Sequence, residues 1–384
     1  MSGSDSCIKR NFGLDIIRSL AILMVVIGHI IPDQTLNEHL LNTALMLRGY
    51  GVELFFVLSG FLIGKILIKF FNEDLNISNI KNFYIRRWFR TLPLYYLYFF
   101  LCLVFIKIFN PETNIFSFFY LKYLFFIQNF DIRHLAFFNH SWSLSIEEWF
   151  YLLLPLVLLI IKDKAKIFKT TPSDKKFLYI DLIKIIIFIA LIRFFYVYIT
   201  NVPNADFGIR RQIPIRFDAL LTGVLFACLK INNKEIFNNL LQKKYLIISF
   251  IVLILITFNY YGFHFYFSKT LFGDLQNLLF YNTFYWSFVP LAFSFIIIFF
   301  ETSKFINIKL PKFSLIKNFF EKTSLYSYSM YFFSYNIIIF YRVFYLHFEQ
   351  SWLHLLFCMI IIYIVSSLVY KYIEKPMMNL RDRF

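Results

Sequence analysis

The stretch Gly13-Leu-Asp-Ile-Ile-Arg-Ser-Leu-Ala-Ile-Leu-Met-Val-Val-Ile-Gly-His-Ile-Ile31 decides how this chain folds. It is long and apolar enough to cross a membrane as a helix, and its ionisable side chains are Asp15, Arg18 and His29. At about 100° and 1.5 Å per residue, Arg18 and His29 lie on one face, roughly 16 Å apart along the axis. Asp15 joins the same stripe. Ionisable groups inside a span usually face a cavity and carry function.

Composition extends this interpretation to the whole chain. Of the 384 residues, 59% are hydrophobic, and the mean hydropathy is +0.63. Soluble proteins average about 45–50% apolar residues. The sequence therefore predicts an all-α polytopic integral membrane protein with about ten transmembrane helices in one domain, 1–384, with short tails 1–13 and 371–384. The spans are expected near 14–32, 49–68, 91–109, 145–161, 181–199, 214–230, 245–261, 284–300, 323–341 and 353–370. The first is expected to be retained, because no small-residue cleavage site follows it.

The net charge of +16 is explained by topology. Loops rich in Lys and Arg alternate with loops that have few of them. Because cytoplasmic loops collect these residues, the pattern predicts that both termini are cytoplasmic. No basic folded surface is available for nucleic acid, so a nucleic-acid partner is not expected. The four cysteines are scattered singly, which indicates neither a disulfide framework nor a metal site.

His29, Glu53 and Glu147 are the candidate catalytic residues. Desolvation lowers the proton affinity of an imidazole and a nearby carboxylate restores it, which yields a base poised near neutral pH. Each residue also has a plainer interpretation: a histidine can hydrogen-bond a neighbouring helix, and Glu53 can be an interfacial carboxylate. Glu147 shares a helix face with Ser143 and Tyr151 at i, i+4 spacing, so we expect it to face the interior.

An arginine-rich segment, Arg86-Arg-Trp-Phe-Arg-Thr-Leu-Pro93, opens the third predicted span. Arg86 and Arg90 are spaced i, i+4, and Arg87 and Arg90 are spaced i, i+3. Either pair can grip one phosphate group with bidentate donors. Basic residues at the cytoplasmic end of a helix are also typical topological anchors, so both interpretations stay open.

Further polar residues stand at the outer mouths of two spans. Trp142 and Ser145 begin the fourth, and Arg216 and Asp218 begin the sixth. They are candidates for binding a substrate that approaches from outside. Arg216 and Asp218 have the alternative of forming only an ion pair with each other.

Six segments together resemble motifs of the membrane acyltransferase 3 family, in the family's order. They are Leu14–Ala21 with His29, Phe55–Leu62, Phe83–Pro93, Trp142–Ser145 with Glu147 and Phe150-Tyr151, Arg216–Gly223, and Tyr372–Pro376. The first is similar to the family's Arg-x10-His signature. Members acylate surface polysaccharides and other extracytoplasmic acceptors. Each short motif is weak by itself, whereas six in order on ten spans are specific.

The resemblance implies an O-acyltransferase of the bacterial inner membrane, surrounded by lipid, that moves an acyl group from cytoplasmic acyl-CoA to a glycan hydroxyl. The donor is expected to be acetyl-CoA, and the acceptor an extracytoplasmic or lipid-linked saccharide. His29 would act as base or briefly carry the acyl group, with Glu147 or Glu53 orienting it. The coenzyme-binding candidates are the arginines nearer the cytoplasm: Arg18, Arg86, Arg87 and Arg90.

Two features set this chain apart from the family pattern. Ser334 and Asn336 occupy places where the family often has a histidine and a proline. The extracytoplasmic esterase-like domain to which some members are fused is expected to be absent. A transporter of a lipid-linked glycan is the rival interpretation, since it also explains an intramembrane Arg and His. It would normally show inverted repeats, which the sequence does not display. A structural membrane protein is a third alternative.

Overall fold

A computed structural model describes residues 10–31, 38–73, 75–130, 136–138, 140–167, 174–200, 206–243, 248, 275–303, 311–344 and 352–381, and their regular structure is all helical. The described α-helices, numbered in chain order, are α1 (Phe12–Ile30), α2 (Glu38–Asn72), α3 (Ile77–Phe109), α4 (Phe118–Leu124), α5 (Ser141–Ile167), α6 (Asp174–Thr200), α7 (Phe217–Asn232), α8 (Lys234–Gln242), α9 (Leu275–Thr302), α10 (Pro311–Phe344), α11 (Trp352–Val369) and α12 (Lys375–Arg381). A π-helical turn, Tyr370–Glu374, joins α11 to α12.

Seven helices within the described residues are long and apolar enough to cross a membrane. They are Phe12–Ile30, Thr43–Asn72, Ile77–Phe109, Ser141–Asp163, Leu178–Thr200, Thr283–Thr302 and Leu356–Arg381, and each overlaps a predicted span. The predicted span 214–230 corresponds to the shorter α7, and 323–341 lies within α10. The span at 245–261 lies outside the described residues except for position 248. A multi-pass membrane protein is thus supported, whereas the count of ten and the orientation stay predictions.

Small residues bring α2 and α7 into backbone contact. A Cβ atom added at Gly60 would collide with the carbonyl oxygen of Leu220, and one added at Gly223 would collide with that of Val57. Without side chains at these two positions the helices approach closely, as is common where helices pack in a membrane. This contact fixes α2, which contributes one wall of the cavity described below.

Both ends of α1 are held by hydrogen bonds to other elements. At the start, the Asn11 side chain caps the helix and its amide donates to the Glu301 carbonyl at 3.2 Å. At the end, Arg48 Nε donates to the Gly28 carbonyl at 2.6 Å, and its Nη2 donates to the Ile31 carbonyl at 3.0 Å. These bonds satisfy carbonyl groups that a helix end leaves unpaired. They also fix the rotation of α1, and with it the directions of Arg18 and His29.

A buried carboxylate joins the ends of α2, α7 and α9 on the side where α1 begins. Glu301 accepts from Lys65 Nζ at 2.8 Å and lies 2.7 Å from Lys230 Nζ. Its side chain is 1% exposed, so the two lysines supply the charge that its burial requires. The three helices are therefore bound together at one end of the bundle.

Candidate active site

A cavity of about 100 Å³ lies between α1, α2, α3, α5 and α10. Its polar wall contains the residues Arg18, Ser59, Arg87, Arg90, Thr91, Ser143, Glu147, Ser327, Tyr328 and Tyr331. Its apolar wall comes from α2, with Leu144 of α5. The cavity thus gathers side chains from four of the six motif segments that the sequence singled out.

Three arginines converge on this cavity. Arg18 comes from α1, and Arg87 and Arg90 come from one turn of α3. Arg18 is close enough to both for the like charges to interact. Glu147 is the one carboxylate among the described lining residues, so the cavity has an excess of positive charge that suits an anion. Arg86 is exposed and does not line the cavity, so the i, i+3 pair is the one the geometry favours.

Glu147 is connected to the arginine cluster through a tyrosine. Tyr151 donates its phenolic proton to Glu147 Oε2 at 2.6 Å. Because that proton is used, Ser59 is the donor in the 2.5 Å contact between its hydroxyl and the Tyr151 oxygen. The guanidinium of Arg87 lies over the Tyr151 ring, 4.3 Å from its centre. The motif residues of α2, α3 and α5 therefore form one connected group.

On another side of the cavity, Tyr331 of α10 connects the lining to α5. Its hydroxyl donates to the His140 carbonyl at 3.0 Å. Ser143 is therefore the donor in the 2.7 Å contact with the same Tyr331 oxygen. Tyr331 is buried and its ring lies edge-on to that of His140. It forms the boundary between the cavity and a group of aromatic rings beyond it.

His29 belongs to that further group and does not line the cavity itself. Its Nδ1 lies 2.7 Å from the Val25 carbonyl oxygen. A carbonyl can only accept, so Nδ1 carries the proton and the lone pair of the neutral ring is on Nε2. A backbone carbonyl of α1 therefore sets the tautomer that a general base needs. This is the role that the sequence analysis expected from Glu147 or Glu53.

His140 is a residue that the sequence analysis missed. It directly precedes α5, and its ring centre lies 5.3 Å from that of His29 and 4.4 Å from that of Tyr335. Burial, followed by the charges of His29, Arg211 and Arg48, lowers the pKa of His140 well below its usual range. The ring is therefore neutral at physiological pH. The signal available in the sequence was its position two residues before Trp142, where a motif begins.

Glu53, Arg216 and Asp218 form a separate, fully buried network with Arg193. Both Glu53 oxygens accept from Arg216 Nη2 at 2.5 Å, and Asp218 Oδ2 lies 2.8 Å from Arg193 Nη1. All four side chains are at most 1% exposed, and their charges cancel. Arg216 and Asp218 are 3.9 Å apart, so the closer charged partner of each is another residue: Glu53 for Arg216 and Arg193 for Asp218. None of these four side chains is among the described residues that line the cavity.

Trp142 and Ser145 also make internal contacts. The guanidinium of Arg210 lies 4.7 Å from the Trp142 ring, and that of Arg211 lies 5.5 Å from it. Ser145 is fully buried and bonded to Gln128 and to a backbone carbonyl of α5. Trp142 lies one residue from the cavity wall at Ser143, whereas Ser145 helps to fix the start of α5.

The remaining residues that the sequence singled out, Asp15, Ser334 and Asn336, lie outside the cavity lining. Asp15 pairs with Arg10 at 2.6 Å and accepts from Ser324 at 2.7 Å. Ser334 is buried and Asn336 is exposed. The residue between them, Tyr335, packs on the rings of His29 and His140. Over the described residues, no three His, Cys, Asp or Glu side chains are placed to hold a metal ion.

Comparison with known protein families now defines the class. The family model described as "Acyltransferase domain", Acyl_transf_3, matches residues 11–371. The match covers nearly the whole chain, including every helix that lines the cavity. The chain belongs to the acyltransferase 3 family, as its motifs suggested. No solved structure matches it significantly.

Individual relatives agree with this assignment. The peptidoglycan O-acetyltransferase OatA of Listeria monocytogenes is 30% identical over 210 residues, which are 50% of this chain and 29% of that protein. YrhL of Bacillus subtilis, provisionally named a peptidoglycan O-acetyltransferase, is 33% identical over 175 residues, 40% of this chain and 25% of its own length. A Staphylococcus aureus protein provisionally named an O-acetyltransferase is 32% identical over 178 residues, which are 40% of this chain and 26% of that protein. The matches thus span less than a third of each relative.

Proposed function

We propose that this protein is a membrane O-acetyltransferase that moves an acetyl group from cytoplasmic acetyl-CoA to a hydroxyl of an extracytoplasmic glycan. One observation carries the proposal: a cavity lined by three arginines lies near an imidazole whose Nδ1–H donates to the Val25 carbonyl, so that its Nε2 carries the basic lone pair. The names of the relatives suggest peptidoglycan as the first acceptor to test. Support for the acetyl donor comes from the family and from the charge of the cavity.

The arginines are suited to the phosphates of the donor. Arg87 and Arg90 present bidentate donors from one turn of α3, and Arg18 faces them from α1. We therefore assign the arginine-lined cavity to a phosphate group of the donor, and the thioester end of the coenzyme to the space beyond it, toward His29.

The chemistry then needs one base and one leaving group. The acceptor oxygen bonds to the carbonyl carbon of the thioester while the carbon–sulfur bond breaks. The hydroxyl proton passes to His29 Nε2 and from there to the thiolate of coenzyme A. The Val25 carbonyl keeps Nδ1 protonated throughout and stabilises the positive charge that the ring acquires.

Glu147 acts on this reaction through its neighbours. It holds Tyr151, and Tyr151 supports the guanidinium of Arg87. We assign Glu147 and Tyr151 to the positioning of the donor-binding arginines. Ser143 and Tyr331 form the wall that the acetyl group faces next.

The proposal is tested with purified protein in lipid nanodiscs, where both faces are accessible. Radiolabelled acetyl-CoA and soluble peptidoglycan fragments are supplied, and the label on the glycan is counted. Wild type should transfer acetyl groups, and His29→Gln should lower kcat by about 10²–10⁴-fold, because an amide cannot take a proton. Lys81→Ala, which changes an exposed cation at the start of α3, is the control. A glycan transporter would consume no acetyl-CoA, so unchanged donor in the wild-type reaction would reject the proposal.

The orientation requires its own measurement. In the proposed topology the start of α3 is cytoplasmic and the segment after it is outside. Single cysteines at the exposed positions Lys81 and Glu112 distinguish the two sides. An impermeant maleimide should label Glu112→Cys in intact cells and label Lys81→Cys only after lysis. The reverse pattern would place the arginine cluster on the wrong side for a cytoplasmic donor.

A further inference from the structure

His29 and His140 form a pair of imidazoles beyond the boundary of the cavity. Their ring planes are inclined by 47° with centres 5.3 Å apart. Tyr335 lies across both, 5.9 Å from the His29 ring and 4.4 Å from the His140 ring. The three side chains come from α1, from the residue before α5 and from α10. The site therefore forms only where three segments that are far apart in the sequence pack together.

The His140 ring has an unused hydrogen-bonding atom. The side chain is more than nine-tenths buried, with 7% exposure, and its Nε2 has no hydrogen-bond partner among the described residues. Buried polar atoms in proteins are nearly always paired, and leaving one unpaired is costly. An unpaired atom beside the proposed catalytic base is therefore a place where a substrate atom can bind.

The chain of contacts from the cavity to this atom is short. Tyr331 lines the cavity and donates to the backbone carbonyl of His140 at 3.0 Å. The Tyr331 ring also lies 5.8 Å from the His140 ring. A single side chain thus separates the cavity from the pair of histidines. The His140 ring in turn lies 5.3 Å from the His29 ring, so the two imidazoles are neighbours on the far side of Tyr331.

We propose that His140 binds the acceptor hydroxyl and holds it against His29. A hydroxyl has one proton to donate and lone pairs that accept. It donates to Nε2 of His29 and accepts from Nε2–H of His140. When the acceptor oxygen bonds to the acyl carbon, the hydroxyl proton moves to His29 and leaves with the coenzyme A thiolate. His140 keeps its own proton throughout. The inference rests on the proposed acetyl transfer and identifies the residue that binds the acceptor.

The test compares wild type, His140→Ala and His140→Gln in nanodiscs, with acetyl-CoA and soluble peptidoglycan fragments each varied in turn. His140→Ala should raise the KM for the fragments by roughly ten- to a hundred-fold, the usual effect of leaving one buried hydrogen bond unmade. The KM for acetyl-CoA should stay within twofold. His140→Gln should recover most of the acceptor affinity, because its amide can donate from nearly the same place.

Three results would overturn the inference. One is an acceptor KM within twofold of wild type in His140→Ala. Another is an equal rise in both KM values, which indicates a structural role. If His140→Ala does not fold, His140→Gln decides, and a well-folded His140→Gln protein without measurable acceptor binding counts against the inference. A wild-type protein that transfers nothing to the fragments refutes the proposed function instead, and the two failures are thus distinguishable.

Discussion

Removing the charge of Glu53 should destabilise the protein more than removing the whole Glu53–Arg216 pair. Both carboxylate oxygens lie 2.5 Å from Arg216 Nη2, and both side chains are at most 1% exposed. Glu53→Leu leaves a buried guanidinium whose other carboxylate neighbour, Asp218, is 3.9 Å away and already paired with Arg193. Breaking one partner of such a pair costs about 3–5 kcal/mol.

The double variant, Glu53→Leu with Arg216→Met, removes both charges. Replacing a buried ion pair with apolar residues of similar volume is often neutral or even stabilising. Asp218 and Arg193 still neutralise each other at 2.8 Å in this variant. The Trp286 carbonyl loses its 3.0 Å bond from Arg216, a cost of about 1 kcal/mol. We therefore expect the double variant to recover most of the stability lost in Glu53→Leu.

The assay is the midpoint of thermal unfolding of the detergent-purified protein, followed by acetyl transfer in nanodiscs. Each kcal/mol lost from the free energy of unfolding lowers the midpoint by about 2–4 °C. Glu53→Leu should therefore melt at least roughly 6 °C below wild type, and the double variant should melt much closer to wild type. Equal melting of the two variants would refute the ion-pair reasoning. A stable double variant with transfer reduced more than about a hundred-fold would show that the Glu53–Arg216 pair takes part in the reaction and is not only structural.

Three further predictions concern the cavity and its supports. Arg90→Ala should raise the KM for acetyl-CoA by roughly ten- to a hundred-fold, and Arg86→Ala, outside the cavity, by much less; equal effects measured by donor titration would contradict the i, i+3 clamp. Gly60→Val should force α2 away from the Leu220 carbonyl and lower the unfolding midpoint, as overpacking costs about 1–3 kcal/mol, whereas an unchanged midpoint would contradict that contact. Tyr151→Phe should weaken donor binding rather than acceptor binding, and the opposite split of KM values would count against its positioning role.

The membrane helices could be predicted from sequence because local composition specifies them. Each of the seven qualifying helices coincides with an apolar run visible in the sequence. Spacing along a single helix was equally informative. Arg87 with Arg90, and Ser143 with Glu147, line the cavity together because spacings of three and four residues, about one helical turn, bring them to the same face.

Contacts between side chains on different helices could not be predicted from the sequence. Glu53 and Arg216 are 163 residues apart, and only the packing of α2 against α7 makes them neighbours. The sequence therefore predicted Glu53 as a partner for His29, whereas in the structure Glu53 pairs with Arg216. His140 was missed for a related reason: it precedes a helix, so no periodicity marked its direction.

The geometry of α1 sets a requirement on the proposed donor. Arg18 lines the cavity with Arg87 and Arg90, whereas His29 lies roughly 16 Å further along the same helix. Phosphates held at the arginines are therefore three helical turns from the base, and the long pantetheine arm must cover that distance. Tyr331 stands between the cavity and the histidines, so the thioester must reach this side chain before it can react. A donor whose acyl group sits directly on its phosphates would bind the arginines and still not meet His29.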